Sequence, residues 1–175
     1  MLIELLKGMT LHPGTFNGVI APEKVIVAAL NGNPDLQRFL FLYVSGNYSR
    51  LLNSINRSSK NFEIRRSFTA HQLVTTLKEA SHTVVLVEHD PTRFEGAEDL
   101  IPQIAGLLKE VGRESLVILY TPTMDRTFSG LIRQADHIIE IAMAEDTPGR
   151  TPHHRLRLQR GGDSRPYAQR TLGVF

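Results

Sequence analysis

A chain of 175 residues with a net charge of +2 is about one domain long, enough to bury a substantial core and short for two. It has no cysteine, which excludes a disulfide framework and a thiolate zinc site. No aliphatic run approaches the roughly 18 residues of a membrane span, and the opening MLIELLKGMTLHPG lacks the order of a signal peptide, so a soluble cytoplasmic protein with no membrane partner is expected.

In chain order, TFNGVIAP (15–22) reads as a strand. EKVIVAAL (23–30) fits a short helix or a second extended piece, because eight residues are too few for periodicity to choose. NGNPD (31–35) has turn composition, and RFLFLYV (38–44) is a buried strand closed by Ser45 and Gly46. YSRLLNSINR repeats Leu51, Leu52 and Ile55 as a helix would, and FEIRRSF predicts a short strand. Thr69 and Gln72 fit a capping box that opens the helix HQLVTTLKEA: the threonine oxygen accepts an early amide and the glutamine reaches back.

The stretch SHTVVLVEHDPTRF (81–94) carries the most chemistry. Val84 to Val87 form a short aliphatic run, as in a strand buried on both faces, and it stops at Glu88, His89 and Asp90. Carboxylates at the carboxyl end of a parallel strand stand beside the crevice where open α/β sheets take ligands. Glu88 and Asp90 are therefore candidate catalytic residues, able to orient a metal-bound water. The alternative is that they are solvated strand-end groups that cap the turn before Pro91.

Between 97 and 112, AEDLIPQIAGLLKEVG places Leu100, Ile101, Ile104, Leu107, Leu108 and Val111 on one helical face, with acids in the first turn and Gly112 as a stop. SLVILY (115–120) is the next buried strand, and Thr121 and Thr123 flank Pro122 in a strand-to-loop turn. TFSGLIRQA reads as a short helix and HIIEIAM as a strand whose polar residues suggest a sheet edge. AEDTPGRTP (144–152) is a loop. HRLRLQ, RGGDSR and YAQRTL then alternate with period two around a turn, as in an antiparallel hairpin. His153 and His154 fall on opposite faces of such a strand, and His71, His82 and His137 have no partners at ligand spacing, so no metal site is predicted.

Buried aliphatic strands separated by amphipathic helices imply an α/β fold, with a mostly parallel sheet, helices on both faces and a closing antiparallel hairpin. One domain covers 1–175, with a core at about 15–145 and a basic hairpin at 150–175. Six arginines, Arg150, Arg155, Arg157, Arg160, Arg165 and Arg170, face one acid in residues 150–175, so the tail is +5 and the rest, with 14 bases and 17 acids, is −3. On the strand, Arg155, Arg157 and Gln159 share one face about 7 Å apart. That spacing suits nucleic-acid phosphates, a carboxylate row on a neighbouring subunit, or a solvated edge protected by charge. Arginine outnumbers lysine 15 to 5, which favours planar ion pairing over mere solubility.

The order of these pieces, over roughly 15–172, resembles the core of the RecA/RadA recombinase superfamily, KaiC-like proteins included. RFLFLYVSGNYSRLL is similar to the strand that follows the phosphate-binding helix, and HTVVLVEHDPTRF to the Walker B strand. VILYTPTMD resembles the strand that ends in a polar sensor, QADHIIEI the Ala-Asp strand, and HRLRLQRGGDSRPYAQRTLGVF the basic closing hairpin. The resemblance implies a RecA-like core in which Glu88 takes the place of the Walker B carboxylate and Lys24 that of the phosphate-loop lysine. It also implies a contact by Arg155, Arg157, Arg160, Arg165 and Arg170 with a neighbouring protomer, and a link to DNA repair or recombination as an archaeal or prokaryotic-type RadA paralogue.

One element of that pattern is missing. A phosphate loop, G-x-x-x-x-G-K-[ST], wraps phosphates with amides freed by glycine, while lysine and a hydroxyl reach the terminal phosphate and magnesium. Here GVIAPEKVIVAAL puts Val25 after Lys24, Pro22 where an amide is needed and Glu23 where phosphate should sit. Charge-assisted hydrogen bonds worth about 1.5–3 kcal/mol each are lost together. The expectation is a RecA-like protein without catalysis or a bound cofactor, working as an assembly or regulatory subunit with itself or with a RecA-like relative. Elongator's RecA-like subunits are a family precedent for such rings. The alternatives are an unconventional nucleoside triphosphatase that holds ATP and Mg2+ through Lys24 and Glu88, and a nucleic-acid binder acting through the arginine hairpin.

Overall fold

The computed structural model describes residues 3–6, 9–143, 154–160 and 170–171. A short antiparallel pair, β1 (Ile3–Leu6) and β2 (Met9–Leu11), precedes the main sheet. The main sheet runs β3 (Thr15–Ile20), β4 (Phe41–Ser45), β5 (Phe62–Arg66), β6 (Val84–Glu88), β7 (Leu116–Thr121), β8 (His137–Met143), β9 (His154–Arg160) and β10 (Arg170–Thr171). Its spatial order is β10-β9-β8-β3-β7-β6-β4-β5. The strands from β8 to β5 are all parallel, and β9 and β10 are added antiparallel.

The central strands β4, β6 and β7 are buried along their whole length, which is why they read as unbroken aliphatic runs. Alternate residues feed two cores. Phe41, Tyr43, Leu86, Ile118 and Tyr120 pack under α1 (Glu23–Asn31) and the segment carrying Leu36, Leu51, Leu52 and Ile55. Leu42, Val44, Val87, Val117 and Leu119 pack under α2 (Ala70–Lys78), α3 (Ile101–Gly112) and α4 (Arg126–Leu131). Gly112 lets α3 approach the sheet, because a Cβ there would stand 3.0 Å from Phe16 Cβ.

EKVIVAAL is a helix, with Val25, Ile26 and Leu30 turned inward. The capping box forms, with Thr69 Oγ1 accepting from Gln72 N–H at 3.2 Å and Gln72 Oε1 accepting from Phe68 N–H at 2.7 Å. Two expectations fail. YSRLLNSINR is a series of turns, not a helix. Three of its amides go to side chains, Arg50 N–H to Glu88, Leu52 N–H to Ser49 and Asn56 N–H to Asn31, and those of Ser54 and Ile55 turn back to Leu51 O, while Leu51, Leu52 and Ile55 are buried as the pattern required. Nor is β8 an edge, because it lies between β3 and β9 and the hairpin covers its outer side.

Candidate functional site at the carboxyl edge of the sheet

The carboxyl ends of β3, β7, β6 and β4 lie side by side, and Glu88 and Asp90 stand there, at and just past the end of β6. The β3–α1 connection is only Ala21 and Pro22. Gly18 is inside β3, in register with Leu119 on one side and Ile138 on the other, and a Cβ on it would stand 2.6 Å from Ile132 Cγ2. This glycine serves packing, not a loop. Among the described residues the left-handed backbone region holds only Gly14 and Gly96, so nothing between 18 and 25 has the alternating conformation of a phosphate-binding nest. Several amides such a loop would aim at a ligand are used internally. Ala21 N–H donates to Thr121 O at 3.2 Å, and Val25 and Ile26 N–H both donate to Pro22 O. Tyr120 Oη–H donates to Ala21 O at 3.2 Å, and burial pushes this phenol up to about 12. Lys24, the cofactor candidate, is exposed on the first turn of α1.

Glu88 ends β6 and is 4% exposed. Its Oε2 accepts from the Tyr43 hydroxyl, which lies 3.0 Å from Ser49 Oγ, and its Oε1 accepts from Arg50 N–H at 2.9 Å. Burial, and then the adjacent Glu88, raise the Tyr43 phenol far above its usual range, so it stays a donor. Both carboxylate oxygens are therefore committed to β4 and the loop that follows it. Asp90 is engaged in the same way: Oδ1 accepts from Thr92 N–H at 3.0 Å and Thr92 Oγ1–H at 2.7 Å, and Oδ2 accepts from Asn47 N–H at 2.7 Å. Burial opposes its charge, yet these hydrogen bonds win and hold its pKa below the usual value. Capping before Pro91 is thus observed, but Glu88, His89 and Asp90 are all buried rather than solvated.

His89 completes the closure. Its N–H donates to Tyr120 O at 2.8 Å, and its ring lies against Phe94 and Phe128, with centroids 6.1 and 5.3 Å away. Burial lowers its pKa in spite of Asp125, which leaves the neutral imidazole with Nε2–H donating to Asp125 Oδ2 at 2.7 Å. Asp125 Oδ1 meanwhile caps α4 by accepting from Phe128 N–H at 2.7 Å. Arg93 is buried, its pKa brought down to about 10 by desolvation, and its Nε–H donates to Ser67 O at 2.8 Å. Thr121 and Thr123 form a local turn, in which Thr121 Oγ1–H donates to Thr123 O at 2.7 Å.

Sequence reasoning missed Tyr43, Arg93 and Asp125. Asp125 carried a signal, as an N-cap residue before RTFSGL. Tyr43 carried none, because its partner lies 45 residues away.

Of the arginine candidates, Arg155, Arg157 and Arg160 lie in β9, in register with Ala142, Glu140 and His137, and Arg170 lies in β10, in register with Leu156. Arg165 lies outside the described residues, as does Arg150. Among the described residues no cluster of His, Asp or Glu could hold a metal ion, and no helix is long and apolar enough to cross a membrane.

No protein-family model matches the chain. An uncharacterised protein of Archaeoglobus fulgidus is 38% identical over 133 residues, 75% of this chain and 67% of that protein. The crystal structure of the flagellar accessory protein FlaH from Methanocaldococcus jannaschii aligns with a TM-score of 0.58 at 12% identity, over 91% of this chain and 87% of that one. At that identity the likeness is one of fold, and the fold is RecA-like α/β.

Proposed function

Because the chain belongs to the same family as the uncharacterised Archaeoglobus fulgidus protein and is built on a RecA-like fold, we propose that it is a non-hydrolysing RecA-like protein that works by assembling, with itself or with a RecA-like relative. One observation carries the reading. The β3–α1 connection is two residues long, and Glu88, at the end of β6 across β7 from it, accepts at both oxygens from Tyr43 and Arg50.

A triphosphate needs several convergent amides and a free carboxylate-metal position. At this edge, Ala21 N–H is satisfied by β7, Glu88 by β4 and its loop, and Asp90 by its own turn and Asn47. Opening Glu88 to a metal would take an acceptor from the buried Tyr43 Oη–H, leaving it Ser49 alone, a cost of about 1–3 kcal/mol, and would also release the part-buried Arg50 N–H. What remains is a rigid sheet whose value lies in its outer surfaces. By this reading the tail arginines serve a subunit contact.

Light scattering over a concentration series, with and without magnesium and ATP, tests the reading. The expected mass is well above 19.6 kDa and indifferent to nucleotide. A strict monomer at high concentration would overturn self-assembly, and phosphate release on addition of ATP would overturn the non-hydrolysing reading.

A further inference from the structure

Among the described residues β5 is the outer strand of its flank and has one neighbour, β4. Phe41 N–H donates to Asn61 O and Ser67 N–H to Ser45 O, each at 2.9 Å, and these two bonds set the phase of the parallel ladder. Odd-numbered residues of the strand bond to β4, and even-numbered ones turn their N–H and C=O outward. Phe62 N–H is taken by Ser59 O at 3.2 Å. The outward groups are then Phe62 C=O and both backbone groups of Ile64 and Arg66. Glu63, Ile64 and Arg66 are exposed, the apolar Phe68, 44% exposed, follows the strand, and Leu40, 52% exposed, precedes its neighbour β4.

We propose that β5 pairs antiparallel with β5 of a second copy of this chain, about a two-fold axis through Ile64. Ile64 then meets itself as a hydrogen-bonded pair, N–H to C=O in both directions, and Arg66 N–H meets Phe62 C=O of the second copy. Every outward N–H then finds a C=O, and only Arg66 C=O, opposite the Phe62 N–H that Ser59 O already holds, is left to solvent. The same register sets Glu63 opposite Arg65 of the second copy, and Arg65 opposite its Glu63.

Charge selects this register over its neighbours. Outward groups face outward groups only if the strand shifts by an even step. The two nearest such shifts centre the axis on Glu63 or on Arg65, and each sets like charges directly opposite. The centre at Ile64 makes every charged position of Glu63 and Arg65 complementary. Both side chains are already held on the α2 face: Arg65 lies 2.6 Å from Glu63 and 2.8 Å from Glu79, and His82 Nε2 lies 2.9 Å from Glu63. An isologous contact of this kind closes at two copies, which suits a short charged edge that would otherwise stand open. The inference gives the assembly reading its surface and rests on that reading.

Sedimentation velocity on the full chain tests it, with thermal melts to confirm that each variant folds. At about 50 µM the wild type is expected at twice 19.6 kDa. Ile64→Pro removes only an outward N–H, so it leaves the β4 ladder intact and is expected to weaken the dimer at least about tenfold. Glu63→Arg and Arg65→Glu each oppose like charges and are expected to run as monomers alone. Their equimolar mixture restores both cross-strand pairs and is expected to dimerise, which repair within one chain could not produce. A monomeric wild type, a dimer indifferent to all three variants, or folded reversal variants that fail to associate on mixing would each overturn the edge pairing. A larger particle insensitive to β5 would do so while leaving assembly standing, whereas ATP hydrolysis by an edge-paired dimer would overturn the non-hydrolysing reading alone.

Discussion

Replacing Glu88 with alanine separates a structural carboxylate from a catalytic one. The side chain is 4% exposed and accepts from Tyr43 Oη–H and Arg50 N–H. Hydrogen bonds to a carboxylate contribute about 1.5–3 kcal/mol each, so two amount to about 3–6 kcal/mol. Tyr43 keeps Ser49 Oγ at 3.0 Å, which softens one loss, and relief of a desolvated carboxylate offsets part of the rest. About 3 kcal/mol remains, a large share of the roughly 5–15 kcal/mol that holds a domain together. At about 2–4 °C per kcal/mol for a chain of this size, the melting temperature should fall by about 6–12 °C, with the urea midpoint moving in proportion. A carboxylate kept free for a metal would behave in the opposite way, since its removal would leave stability unchanged or raise it. A Glu88→Ala protein as stable as the wild type would refute the account of this site.

Gly46→Ala should cost about 1–3 kcal/mol, read as a shift in the urea midpoint, because a Cβ there would overlap the Asp90 carboxylate that anchors Asn47. Stability should also fall on acidification. His89 is neutral when folded, with its pKa below the ordinary 6.5, so the unfolded chain binds a proton first as pH drops. The contribution is complete above about pH 6.5 and is lost toward the folded pKa, at no more than about 1.4 kcal/mol per pH unit; chemical denaturation across that window checks it, and a stability that stays flat or increases on acidification would refute it. Asp90, also depressed, adds a loss of the same sign below its ordinary 3.8.

Much of the architecture was legible because it rests on local rules. Fully buried parallel strands write continuous aliphatic runs, and the capping box of Thr69 and Gln72 is a spacing signal that the backbone obeys. The Leu51, Leu52 and Ile55 pattern was read correctly as burial and wrongly as helix, because periodicity reports which side chains go inward and not where the amides go. The β8 strand looked like an edge because Glu140 is exposed on one face, whereas its place between β3 and β9 depends on a pairing no short window contains. At the site, position was legible and engagement was not. Glu88 and Asp90 do stand at the carboxyl end of β6, but their partners Tyr43, Arg50 and Asn47 come from the β4 end of the sheet. At the β3–α1 turn the sequence shows Pro22 and Glu23 where a phosphate loop would carry amides, and the turn is two residues long.

Calorimetric titration of the wild-type protein with magnesium and ATP bears most directly on the claim that this edge of the sheet is closed to nucleotide. The account predicts no saturable heat up to about 1 mM nucleotide, where even weak binding near −4 kcal/mol would register. Saturable binding that is abolished by Lys24→Ala or Glu88→Ala, in variants shown to be folded, would contradict it.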